Sequence, residues 1–68
     1  MDNVFGKNLK QLRELTKVGQ VQLAKELGVS KGIISMWENG LREPKLSNLI
    51  SLAIFFEVSI DYLAGLDN

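Results

Sequence analysis

Apolar residues along this chain recur at the three- and four-residue spacing of helices. Phe5, Leu9 and Leu12 stand at i, i+4 and i+7, which predicts a first helix over residues 4–15 with Lys7, Lys10 and Glu14 outward. Leu23, Ala24 and Leu27 give a second stripe over 20–27, and Ile34 with Trp37 a third over 31–38. Leu46, Leu49, Ile50, Ala53 and Phe56 predict the core face of a fourth helix over 45–56, with Leu52 at its border. A short fifth helix over 60–64 follows. The chain reads as all-α, five helices in one domain spanning 1–68.

The breaks between stripes are as informative as the stripes. Gly28 follows Leu27 directly, where a helix stops most easily on a left-handed residue. Val29 is a single apolar plug, and Ser30 is suited to accept from the free amides of the next helix. A turn this short makes the two helices cross steeply, and the small Ala24 allows them to approach. Asn39-Gly40 ends the third helix, Pro44 precedes the fourth, and Val58-Ser59 leads into the fifth, whose first turn carries Asp61. Helix, tight glycine turn, helix is the supersecondary motif that enters the DNA major groove.

Composition narrows the chemistry. Sixty-eight residues approach the lower limit for a domain without a staple, and no cysteine is present to supply one. Without histidine, zinc sites and imidazole catalysis are excluded, and the serines sit where capping or exposure explains them, so no enzyme and no cofactor is expected. No apolar run approaches the ~20 residues of a membrane span, and the N-terminus does not resemble a signal peptide. A soluble, cytoplasmic protein without a small-molecule ligand is the expectation.

Net charge is zero and the pI about 6.1, which weighs mildly against nucleic acid, but the layout matters more. All eight cations lie between Lys7 and Lys45, among four acids. Beyond Lys45 stand Glu57, Asp61 and Asp67 with no cation. Such a chain can lay one face on phosphates and turn another toward protein.

The stretch QVQLAKELGVSKGIISMWEN, residues 20–39, resembles the helix-turn-helix of the phage repressor and Cro family, also called the XRE type, and the resemblance extends from Phe5 to Gly65. It implies a compact five-helix, lambda-repressor-like domain with the motif on helices two and three. By the family pattern Lys31, Gly32, Ser35 and Met36 meet base edges, with Ile33 also outward; Met36 stands where a polar or basic residue is usual. Gln20, Asn39, Arg42 and Lys45 are the implied phosphate contacts, and Arg13 is implied to pair with Glu38. Lys17 and Glu57 replace glycines usual in the family, and Gly19 stands where a Ser or Thr cap is common. Ile54, Phe55, Tyr62 and Leu66 either form an exposed apolar surface for a dimer contact or complete a small core. The implied function is sequence-specific binding of double-stranded DNA, at a palindromic operator and as a homodimer, by a transcriptional regulator, most simply a repressor. A protein-interaction module that keeps the fold but has little DNA affinity is the alternative, suggested by zero net charge and by Gly32, Ile33 and Met36 on the reading face.

Overall fold

The computed structural model describes residues 3–66, and each of its helices is followed by a left-handed residue, a glycine (Gly28, Gly40, Gly65) in three cases and Lys17 or Glu57 in the other two. The elements are α1 (Val4–Leu15), α2 (Gln20–Leu27), α3 (Lys31–Glu38), α4 (Leu46–Phe56) and α5 (Ile60–Ala64). Four of the five expected spans agree residue for residue; α4 begins one residue later, because Lys45 is its extended N-cap. Asp67 lies outside the described residues.

Seven side chains form the core, and every helix contributes: Leu9 from α1, Leu23 and Ala24 from α2, Ile34 and Trp37 from α3, Leu52 from α4 and Leu63 from α5. Full burial of a leucine-sized side chain stabilises by about 1.5–3 kcal/mol, and partly buried residues such as Phe5, Leu12 and Phe56 pack around this cluster. Phe5 meets Trp37 edge-on with ring centroids 6.1 Å apart, joining α1 to α3.

The two corners of the molecule share one turn. After α2, Gly28 is left-handed (φ 70°), the Val29 amide donates to the Ala24 carbonyl at 3.0 Å, and Ser30 Oγ accepts from the Ile33 amide at 3.2 Å. After α4, Glu57 is left-handed (φ 57°), the Val58 amide donates to the Ala53 carbonyl at 3.0 Å, and Ser59 Oγ accepts from the Tyr62 amide at 2.9 Å. Lys17, in the joint between α1 and α2, is also left-handed (φ 58°).

Asn3 ties the start of α1 to the end of α3. Its Oδ1 accepts from the Gly6 amide at 3.1 Å, the N-cap bond of α1, while its Nδ2 donates to the Glu38 carbonyl at 2.8 Å. Gly6 makes that approach possible, since a Cβ there would collide with the Trp37 carbonyl oxygen. Asn8 Nδ2 donates to the Tyr62 carbonyl at 2.9 Å and fixes α5 on α1.

Two sequence expectations are corrected here. The core face of α4 is not the stripe through Leu46 and Ile50: Leu52 is fully buried, with Leu49, Ala53 and Phe56 packed around it, whereas Leu46 is 65% exposed. The segment is apolar almost all round, so periodicity alone did not select a face; docking against α2 and α5 does. Likewise Phe55 and Tyr62 are half-buried rather than free, Phe55 packing on the core and edge-on to Phe56. The exposed apolar ridge is Leu46, Ile50 and Ile54 on α4, with Leu66 exposed beyond α5.

Candidate nucleic-acid interface

Burial of Ile34 and Trp37 fixes the roll of α3, and that roll decides what the helix offers to solvent. Lys31 and Gly32 are exposed; Ser35 and Met36 are half-buried. Ile33, expected outward, is instead half-buried and packed against the core, because it sits beside Ile34 at the junction with the turn. The exposed surface of α3 is therefore narrow and concentrated in its first turn.

A concave surface runs beside this helix, lined by Lys10, Arg13, Gly19, Gln20, Val21, Lys31, Glu38 and Asn39. Its floor is a bidentate ion pair: Arg13 Nε stands 2.7 Å from Glu38 Oε2, and Nη2 donates to Oε1 at 3.1 Å. The side chains are only 14% and 4% exposed. Arg13 Nη1 also donates to the Val18 carbonyl at 3.2 Å, so one guanidinium joins α1, the following joint and α3. The hydrogen bond to Glu38 raises the Arg13 pKa above its ordinary value, burial opposing it, and the guanidinium stays charged.

Gln20 enters the same network, its Nε2 donating to Glu38 Oε1 at 3.1 Å. That bond uses one of the two N–H groups of the Gln20 amide and leaves the other, with the backbone amides, as donors at this end of α2. The N-cap Gly19 supplies no side-chain oxygen, and the first-turn amides of a helix have no partner in their own ladder. These amides and the positive end of the α2 dipole border the concavity, and Lys10 and Lys31 are among the residues that line it.

The structure brings together Arg13, Gln20, Lys31, Glu38 and Asn39, and not Arg42 or Lys45. Arg42 is exposed in the loop and borders a different, mainly apolar concavity with Val4, Phe5, Pro44, Leu49 and Ala64. Lys45 is exposed at the N-cap of α4, its amide donating to Asn48 Oδ1 at 3.1 Å. Asn39 is turned back on its own helix, Nδ2 donating to the Ser35 carbonyl at 2.9 Å. Lys10 was missed as a site residue. Its place three residues before Arg13, on one side of α1, was the available signal.

The family model described as helix-turn-helix matches residues 9–63. The chain is 35% identical over 63 residues to the HTH-type transcriptional regulator YobD of Bacillus subtilis, covering 93% of this chain and 56% of the relative. It is 42% identical over 59 residues to the HTH-type transcriptional activator BcrR of Enterococcus faecalis, covering 87% of this chain and 29% of that one. Among solved structures, the c2 repressor of phage P22 in complex with a synthetic operator superimposes with a TM-score of 0.87 at 36% identity, over 94% of this chain and 97% of that one. The chain thus spans about half or less of the length of these two curated relatives.

Proposed function

The chain belongs to the helix-turn-helix family of phage-repressor type, and from that premise we propose that it binds double-stranded DNA sequence-specifically and regulates transcription, as a repressor that occupies its operator. The observation that carries the reading is the concavity at the uncapped start of α2, set directly beside the exposed first turn of α3. In this reading α3 lies in the major groove, with Lys31, Gly32, Ser35 and Met36 toward base edges. One phosphate sits against the α2 amides, Lys10 and Lys31, and Arg42 and Lys45 reach others along the strand. Asn39 contributes by holding the end of α3, and the Arg13–Glu38 pair by fixing α3 against α1.

The same premise supports a homodimer on a palindromic operator, with half-sites about 34 Å apart. The uncharged ridge of Leu46, Ile50 and Ile54 supports an apolar contact between copies. A cytoplasmic location is part of the reading; among the described residues no helix is long and apolar enough to cross a membrane. The protein-module alternative is weakened at one of its supports, since Ile33 is half-buried against the core rather than fully exposed on the reading face.

Binding-site selection from random duplex DNA, repeated at two salt concentrations, tests the proposal. The expected result is a palindromic consensus, bound with a log–log salt slope of roughly −0.9 per phosphate neutralised. Arg42→Ala should weaken all duplexes alike, whereas Met36→Ala should alter preference at one base step. No binding to any duplex at low salt would favour the protein module.

A further inference from the structure

Asn3 uses the two ends of its amide on two different helices. Oδ1 caps α1 through the Gly6 amide, while Nδ2 donates to the Glu38 carbonyl at 2.8 Å. That carbonyl closes α3, where the helix's own ladder offers no partner. Two glycines make the seat. A Cβ on Gly6 would collide with both polar atoms of the Asn3 amide, and one on Gly40 would stand 3.0 Å from Asn3 Cγ. For capping α1 alone a serine would do as well, but it offers one short oxygen in place of an amide with two ends.

The seat lies where the chain leaves α3. Gly40 is left-handed (φ 73°), and the Gly40 and Leu41 amides donate back to the Trp37 and Met36 carbonyls at 3.2 and 2.9 Å. At the far end of the connection the Lys45 amide is held by Asn48. Between these anchors stands Arg42, exposed, and it lines one concavity together with Asn3 and Gly40.

We propose that Asn3 is a positioning residue for DNA binding: by holding the Glu38 carbonyl and packing on Gly40, it sets the direction in which the chain leaves α3, and so the place where Arg42 meets the phosphate strand. The inference rests on the reading of Arg42 as a phosphate contact. Asn3 acts through the backbone of residues 38–42 and not by touching the duplex. A connection whose departure is already fixed has less freedom to lose when its cation is immobilised on a phosphate.

The test uses Asn3→Ser, which keeps an oxygen to cap α1 and gives up the amide N–H, with Arg42→Ala and the double variant. Each is measured on a duplex recovered with the wild-type protein from random DNA, over a range of salt concentrations and below the melting transition of every variant. Asn3→Ser should bind roughly three- to tenfold more weakly, with a salt slope shallower by roughly 0.9, the share of one phosphate. In the Arg42→Ala background it should cost nothing further, because the two changes remove the same contact. Lost stability alone would leave the slope unchanged and would add in full to Arg42→Ala, and that result would overturn the proposal. Wild-type affinity and slope in Asn3→Ser would overturn it too, as would failure of Asn3→Ser to fold, which would assign the tether to the fold. If Arg42→Ala binds as the wild type does, the reading of Arg42 fails first; if the wild type binds no duplex, the DNA-binding reading fails with it.

Discussion

Glu38 is the residue on which the reading surface hangs, because three donors from three parts of the chain end on its carboxylate and backbone: Arg13, Gln20 and Asn3. Removing one partner of a buried ion pair leaves the other charge uncompensated. Glu38→Ala should therefore destabilise the domain by about 3–5 kcal/mol, measured by denaturant unfolding. A loss within experimental error would mean that Arg13 finds water at once. The opposite sign is expected at Lys17 and Glu57, which hold left-handed conformations that disfavour any side chain. Lys17→Gly and Glu57→Gly should each stabilise by about 1 kcal/mol, seen as a rise of about 4–8 °C in melting temperature. At this scale the sequence was partly legible. The Arg13–Glu38 pairing was implied by the family resemblance, and the misfit of Lys17 and Glu57 showed from the residues usual at those positions. The diversion of the Gln20 amide to Glu38 was not legible, since a polar residue at a helix start has several partners within reach and only coordinates choose between them.

Among the elements, α2 and α3 were the easiest to read and α4 the hardest, for a physical reason. A helix with both polar and apolar residues has one face that can be buried, so Leu23, Ala24, Ile34 and Trp37 identified themselves. Residues 46–56 include only three polar side chains, Ser47, Asn48 and Ser51, and no charge, so several faces would serve. The choice falls to the neighbours, and it buries Leu52 while leaving Leu46, Ile50 and Ile54 out. Leu52→Ala should accordingly cost about 2–5 kcal/mol, whereas Leu46→Ala should stay within about 0.5 kcal/mol. Thermal or urea unfolding of the two variants separates them, and comparable losses would return the core face to the stripe read from the sequence. The α2–α3 and α4–α5 corners show how far local chemistry reaches: a valine plug and a serine cap build the same turn twice, once on glycine and once against the preference of glutamate.

For the molecule as a whole, net charge is a poor guide and its placement a better one. Zero net charge conceals a concavity in which Lys10 and Lys31 stand beside first-turn helix amides, the charges of Arg13 and Glu38 cancelling in their pair. That gathering depends on how α1, α2 and α3 cross, which no count of residues contains. The core has a consequence of its own. Its seven buried side chains come one or two from each helix, and no helix has a nucleus apart from the others. Opening any part should then mean opening all of it. In native-state hydrogen exchange, the slowest amides of the five helices should share a common protection limit equal to the global unfolding free energy. Leu63→Ala, in the last helix, should lower that limit in α3 as much as in α5. The segment proposed to face DNA has no private reserve of rigidity: its persistence is borrowed from α5, and wear there will be felt in α3.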